Sequence, residues 1–152
     1  MTLFPSRETV KKVRKQYPTG TRVKLVKMDD PQAPPVYTKG TVKLVDDVAS
    51  IHIVWDNGSA LAAVYGEDIV EKVDYQLVMG YRDKAECVCI AYDYDALVTI
   101  ALSMVPMVKD GKLHAESGSV IERLYIETFD EEKDDNVTVW EYSQESEEIH
   151  EN

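Results

Sequence analysis

The sequence predicts a mainly β protein of the α+β class, built from two small units. In the first half, short alternating runs of apolar and polar residues are separated by frequent turn residues, which is typical of a small antiparallel barrel. In the second half, one long apolar run lies between alternating runs, which indicates a helix on an antiparallel sheet. The predicted units are residues 1–73 and 74–143, followed by a disordered acidic tail over 144–152.

A short helix is predicted within the segment FPSRETVKKVRKQYPTG. Ser6 can cap its first turn, and Glu8 in that turn favours the helix dipole. A buried face at spacing i, i+3 and i+7 is formed by Val10, Val13 and Tyr17. Pro18 and Gly20 end the helix. The basic side chains lie largely off the buried face: Lys11, Lys12, Arg14 and Lys15. They are either a solvated face or a contact site for an acidic partner.

The barrel is predicted from short strands that follow the helix. The strand segments are TRVKLVKM, GTVKLVDD, SIHIVWD, Leu61 to Val64, and DIVEKVD. Alternation places Val42 and Leu44 on one face of the second strand. The same pattern places Ile51, Ile53 and Trp55 on one face of the third strand. Asn57-Gly58 is a strong signal for a two-residue hairpin turn after the third strand.

The motifs FPSRETV, YPTGTRVKLV, MDDPQAPP, YTKGTV and WDNGS lie together within roughly residues 4 to 70. As a set they resemble an SH3-like domain of unknown function that is carried on phages, plasmids and integrative elements of Gram-positive bacteria. The resemblance implies an SH3-like barrel and a mobile-element context. It implies no catalytic residue and no ligand, and it does not extend beyond Tyr75.

The second unit is predicted to have the order β-α-β-β. The segment AECVCIAYD is a strand that places Cys87 and Cys89 on one face. The segment YDALVTIALSMVPMVK is a helix that Asp93 or Asp95 can cap and that Pro106 would kink or end. The alternating segments VIERLYIETFD and VTVWEYS form a hairpin across the acidic turn EEKDDN.

The charge is distributed unevenly along the chain, whose net charge is -11. Residues 1–73 hold 11 Lys and Arg against 9 Asp and Glu, a net of +2, whereas residues 74–152 hold 6 against 19, a net of -13. Such an acidic half repels nucleic acid and attracts basic surfaces. The composition therefore favours a basic protein over nucleic acid as the partner of the second unit.

No enzyme chemistry is indicated by the sequence. Cys87 and Cys89 are interpreted as reduced core thiols, because one intervening strand residue separates them by about 7 Å, a poor disulfide geometry. The three histidines, His52, His114 and His150, are scattered, so neither a metal site nor a cofactor is predicted. The chain has no glycine loop of the phosphate-binding type. Without an apolar leader or membrane-length segment, a cytoplasmic location and no membrane partner are expected.

The leading functional hypothesis is a non-catalytic interaction protein of a mobile element. A surface with carboxylates spaced like a duplex backbone could occupy the basic groove of a host defence protein that handles nucleic acid, in the manner of an anti-CRISPR or anti-restriction factor. The predicted contact residues are Asp130, Glu131, Glu132, Asp134 and Asp135. The other interpretation of these carboxylates is plain solubility.

Two alternatives act through the first unit. Lys11, Lys12, Arg14 and Lys15 could contact nucleic-acid phosphates, although a net charge of +2 gives only weak support for direct binding. A peptide could dock on Tyr37, Trp55 and Tyr65, although the favoured interpretation of Trp55 is a core residue on the same strand face as Ile51 and Ile53. An exposed edge strand in the second unit would in addition permit a homodimer.

Overall fold

The computed structural model describes residues 4–152, so residues 1–3 of the predicted first unit lie outside it. The chain consists of two compact units, with the boundary between Val73 and Asp74. Its architecture is mainly β, with two five-stranded antiparallel sheets and helices, and this confirms the predicted class. The first unit contains α1 (Arg7–Gln16), β1 (Arg22–Lys27), β2 (Lys39–Val45), β3 (Ser50–Trp55), β4 (Ala63–Val64) and β5 (Ile69–Lys72). The second contains β6 (Tyr75–Tyr81), β7 (Lys84–Ala91), α2 (Tyr94–Lys109), β8 (Arg123–Asp130), β9 (Asp135–Ser143) and β10 (Ile149–Glu151).

The helix α1 begins as the sequence predicts. The Ser6 side chain accepts a hydrogen bond from the Thr9 N–H at 3.1 Å, which satisfies one of the free amides of the first turn. The buried face consists of Val10 and Val13. These two side chains join the core of the first unit, so burial fixes which face of α1 is left for other contacts.

The first sheet has the strand order β4-β3-β2-β1-β5. Alternation along β3 buries Ile51, Ile53 and Trp55, as the sequence predicts. These side chains pack with Val23 and Leu25 of β1 in one hydrophobic cluster. The core of this unit is therefore formed by the inner faces of three consecutive strands and the buried face of α1.

The predicted face of β2 is wrong at one position. Val42 is buried, but Leu44 is 44% exposed and Val45 is buried instead. The cause is a register shift between Val42 and Leu44 in the pairing with β3. An extra residue in one strand of a pair reverses the side-chain alternation beyond it. Alternation alone therefore assigns the wrong face to Leu44.

The turn after β3 is also longer than a two-residue hairpin. The backbone does turn at Gly58, whose φ is 88°, and the Gly58 N–H donates to the Trp55 carbonyl at 3.0 Å. The ladder with β4 then pairs Ser50 with Val64 and Ile51 with Ala63. Residues 56–62 thus form a loop, and β4 is restricted to Ala63–Val64.

The second unit has the order β-β-α-β-β-β rather than the predicted β-α-β-β. Its sheet runs β10-β9-β8-β6-β7, and α2 packs against β8, β6 and β7. The prediction lacks two strands, β6 and β10. In β6, Leu77 and Val78 are consecutive and both buried, so this strand does not alternate. The turn from β6 to β7 includes Arg82 at a φ of 51°, a conformation that Arg rarely adopts.

The helix α2 is capped by Asp93, whose carboxylate accepts the Ala96 N–H at 3.0 Å. It continues past Pro106 to Lys109. Pro106 lacks the N–H for one intrahelical hydrogen bond, but the helix does not end there. The buried side chains are Leu97, Ala101 and Val108. Neither helix of the described residues has the length and apolar run that crossing a membrane requires.

The prediction of a disordered tail over residues 144–152 is wrong for its last part. Ile149–Glu151 form β10, in which Ile149 pairs with Tyr142 and Glu151 with Trp140 of β9. The Tyr94 hydroxyl donates to Glu151 at 2.6 Å. Burial of Tyr94 and this hydrogen bond raise the pKa of its hydroxyl. Backbone pairing and one side-chain contact thus order a segment whose composition alone indicates disorder.

Candidate interaction surfaces

The predicted acidic residues lie together at one end of the β8–β9 hairpin. We call residues 130–135 the acidic turn. Asp130 and Glu131 are partly exposed, whereas Glu132, Asp134 and Asp135 are exposed. The hairpin brings all five carboxylates together, with Lys133 as the single cation of the turn.

Some of these carboxylates support the turn itself. Asp130 Oδ1 accepts the N–H groups of Glu132 at 2.9 Å and Lys133 at 3.2 Å. Asp135 Oδ1 accepts the N–H of Asn136 at 2.7 Å. The side chains of Glu132 and Asp134 make no hydrogen bond or ion pair within residues 4–152. These two are therefore available to a partner without any loss of internal contacts.

The register of the hairpin places two like charges opposite each other. Asp130 is the cross-strand partner of Asp135 in the ladder. Opposed like charges destabilise an antiparallel pair, by up to about 1 kcal/mol. A nearby cation would therefore reduce the repulsion between Asp130 and Asp135.

The basic residues of α1 form a stripe that the sequence identified only in part. Arg7, Lys11 and Arg14 are spaced i, i+4 and i+7, so they lie on one face of the helix. They line a surface groove of about 440 Å³ together with Pro5, Val10 and Asp47. Arg7 is absent from the predicted set, although its spacing from Lys11 and Arg14 could have indicated it.

The four predicted basic residues have different surroundings. Arg14 is anchored: its Nε donates to the Val45 carbonyl at 3.0 Å, and its Nη2 lies 2.7 Å from Asp47 Oδ1. Lys12 and Lys15 are exposed and are not among the residues that line the groove. Of the predicted set, Lys11 and Arg14 therefore belong to one concave site, while Arg14 also attaches the helix to the sheet.

The prediction that Trp55 belongs to an aromatic docking surface is wrong. Trp55 is only 2% exposed, and its indole N–H donates to the Leu61 carbonyl at 2.7 Å. Its ring belongs to the core cluster, so it cannot contact a peptide. Tyr37 is exposed and lies beside Lys24, whose Nζ is 5.7 Å from the ring centre.

Tyr65 is accompanied by Tyr17 rather than by Trp55. Both tyrosines line an apolar groove of about 370 Å³ with Val64, Ile69 and other residues of the first unit. Burial raises the pKa of the Tyr17 hydroxyl, and the nearby Tyr65 raises it further. Lys72 Nζ lies 5.4 Å from the centre of the Tyr17 ring. The sequence pattern predicts Tyr17 on the buried face of α1, and for that reason it does not indicate that Tyr17 lines this groove.

The two cysteines are not core residues. Cys87 is exposed, Cys89 is partly exposed, and both are free thiols. They lie on β7, an edge strand, and edge position cannot be read from alternation. The Cys87 thiol donates to the Cys89 carbonyl at a sulfur–oxygen distance of 3.7 Å. Burial raises the pKa of the Cys89 thiol, and the neighbouring Cys87 adds to the shift.

Across residues 4–152, no three His, Cys, Asp or Glu side chains are grouped as metal ligands. Comparison with known families identifies one relationship. A family model described as a domain of unknown function, DUF4314, matches residues 6–73. The match begins at the cap of α1, ends with the first unit and covers less than half of the chain, so the N-terminal half contains a domain similar to that family. Searches of the curated proteins and of the solved structures each found no match.

Proposed function

We propose that the chain is a non-catalytic interaction protein of a mobile genetic element, and that its acidic turn binds a basic protein that handles nucleic acid. The sharpest form of the proposal is an inhibitor of a host defence protein, of the anti-CRISPR or anti-restriction type. The observation that carries it is the end of the β8–β9 hairpin, where five carboxylates share one short turn and Asp130 opposes Asp135. A cationic partner would relieve this repulsion, and it could contact Glu132 and Asp134 without competing for internal contacts.

The net charge of -13 over residues 74–152 supports the proposal through long-range attraction. A strongly acidic surface accelerates the approach of a basic partner, and it disfavours nucleic acid as the ligand. The mobile-element context and an SH3-like assignment for the first unit are part of the proposal. They rest on the resemblance of residues 4 to 70 and on the five-stranded antiparallel order of the first sheet.

The test uses charge reversal at the acidic turn in the full-length chain. The variant combines Glu132→Lys, Asp134→Lys and Asp135→Lys, and it keeps Asp130, which supports the turn. A matched control combines Glu145→Lys, Glu147→Lys and Glu148→Lys, which changes the net charge equally at exposed positions outside the turn. Proteins captured from a Gram-positive host lysate are purified, and their affinity for each variant is measured with and without competing DNA.

The expected result is a basic nucleic-acid-binding protein that DNA displaces from the wild-type chain. Its affinity should fall at least tenfold for the acidic-turn variant, which corresponds to about 1.4 kcal/mol. The affinity of the same protein for the control variant should fall less than its affinity for the acidic-turn variant. Equal affinity of all three proteins at low salt would contradict the proposal and would leave the acidic residues with a solubilising function only.

A second candidate function is favoured by the groove beside α1. Arg7, Lys11 and Arg14 converge on a concave surface, an arrangement suited to a phosphate group of nucleic acid. Fluorescence anisotropy of labelled DNA and RNA with the full-length chain tests this candidate. We expect binding that weakens with salt and is lost in the variant Arg7→Glu with Lys11→Glu, but not in the control Lys12→Glu. The absence of salt-sensitive binding by the wild-type chain would exclude it.

A further inference from the structure

We propose that β7 is a self-association edge, through which two copies of the chain pair their second-unit sheets antiparallel. The first observation is its position. β7 lies at the end of the strand order β10-β9-β8-β6-β7 and pairs only with β6. Its outer row of backbone N–H and C=O groups is therefore a template for another extended strand. This inference is independent of the acidic turn and of the function proposed for it.

The side chains of β7 are the second observation. Val88 is 39% exposed and Ile90 is 59% exposed, and Cys87 is exposed beside them. From Ala85 to Ala91 the strand has one charged residue, Glu86, and no proline. A register shift against β6 adds one residue to β7 near Val88 and increases the local twist. It adds no charge that would prevent pairing.

The other sheet edges of the described residues have features that prevent pairing with another strand. In the same sheet, β10 is limited to Ile149–Glu151, and the acidic residues Glu145, Glu147 and Glu148 lie just before it. In the first sheet, the edge strands are Ala63–Val64 and Ile69–Lys72, which are both short. Natural proteins prevent edge pairing by short strands, by charge and by bulges. Of these edges, β7 carries a bulge near Val88, but it alone combines length with an apolar, charge-poor sequence.

A second copy is the occupant that fits this edge. The second unit has a net charge of -13, so two copies of it repel each other over most of its surface, and the charge-poor β7 is where they can approach. In an antiparallel pair centred on Cys87, Glu86 faces Val88 of the second copy and Lys84 faces Ile90. Centred on Val88, Glu86 faces Ile90 instead. Within Lys84–Ala91, neither register places like charges opposite each other, and both have the two-fold symmetry of a closed dimer.

Sedimentation velocity of the reduced full-length chain over a wide concentration range tests the proposal. The wild-type chain should show a monomer–dimer equilibrium. Ile90→Lys adds a charge to the edge and should raise the dimer dissociation constant at least tenfold. The matched control is Val54→Lys, at a residue that is 60% exposed on the interior strand β3, and it should leave the dissociation constant unchanged. A chain that stays monomeric throughout, or equal effects of both variants, would overturn the proposal.

Disulfide trapping provides a second readout that does not depend on the lysine variants. In the two registers, Cys87 faces either Cys87 or Cys89 of the second copy. Diamide should therefore oxidise one thiol from each copy to an intermolecular disulfide and be reduced to the hydrazine. Non-reducing electrophoresis should show a covalent dimer for the wild-type chain and none for the double variant Cys87→Ser with Cys89→Ser. A sedimenting dimer that diamide cannot trap would show that β7 is not the interface.

Discussion

Two hairpin turns of this molecule use polar residues in opposite ways. In the loop 56–62, which we call the glycine turn, the side chains of Asp56, Asn57 and Ser59 all accept hydrogen bonds within their own unit. Asp56 accepts two hydrogen bonds from the Arg22 guanidinium at 2.7 and 2.8 Å, and Asn57 accepts the Ser59 N–H at 3.0 Å. In the acidic turn, Glu132 and Asp134 have no such partner among the described residues.

The difference separates a turn that maintains the fold from one that is free to bind. The glycine turn is connected to the core through the Trp55 indole and to β1 through Arg22. The acidic turn is held by hydrogen bonds from backbone N–H groups to Asp130 and Asp135, and the carboxylates of Glu132 and Asp134 are exposed. Mutations in the first turn should therefore reduce stability, and mutations in the second should change binding with little loss of stability.

The largest effect is expected for Trp55→Ala. Removing a buried Trp leaves a cavity and typically costs about 3–5 kcal/mol, and here it also leaves the Leu61 carbonyl without its donor. Urea unfolding followed by far-UV circular dichroism measures the change. The control is Val54→Ala, the exposed neighbour on β3, which should change the free energy of unfolding by less than about 1 kcal/mol. Equal losses for the two variants would contradict a core position for Trp55.

A smaller effect is expected when the same chemical change is made in both turns. Asp56→Asn weakens a bidentate pair with Arg22, whose side chain is only 15% exposed, and should cost about 1 kcal/mol. Asp134→Asn removes a charge that has no internal partner, at a residue whose φ is 53°. Asn tolerates this backbone conformation, so the free energy of unfolding should stay within about 0.5 kcal/mol of the wild type. The comparison between the turns fails if the two variants are equally destabilised.

Much of the first unit could be predicted because its local signals agree with its packing. Ser6 caps α1, and the alternation of Ile51, Ile53 and Trp55 identifies the buried face of β3. The prediction fails at Leu44, because a bulge depends on the partner strand and leaves no mark in the sequence of β2 alone. The position of the acidic turn was predictable for the same local reason, since it lies between two alternating runs.

In the second unit, the errors arise from context that local patterns do not encode. Alternation does not identify β6, because Leu77 and Val78 are consecutive and both buried. The exposure of Cys87 follows from the edge position of β7. Edge or interior position is set by the order of strands in the sheet, which alternation does not specify. The prediction of a disordered tail is wrong for a similar reason, because pairing with β9 orders Ile149–Glu151 despite an acidic composition.

A small gain in stability is expected for Asp135→Lys. The substitution replaces a like-charge pair with Asp130 by an opposite-charge pair, so the free energy of unfolding should increase by a few tenths to about 1 kcal/mol. Salt should reduce the gain, because it screens exposed charges. Asp135→Asn, which retains an acceptor for the Asn136 N–H, should show about half of the gain. Both values come from urea unfolding at low and high salt, with Glu145→Lys as the control for net charge.

The direction of this change distinguishes a binding surface from a solubilising one. If the opposed carboxylates serve a basic partner, Asp135→Lys should increase stability and weaken binding in the same protein. Such opposite signs are expected where a site retains an unfavourable arrangement for function. A gain in stability with unchanged affinity for the captured partner would remove Asp135 from the contact surface. A loss of stability would instead show that the Asn136 hydrogen bond outweighs the repulsion between Asp130 and Asp135.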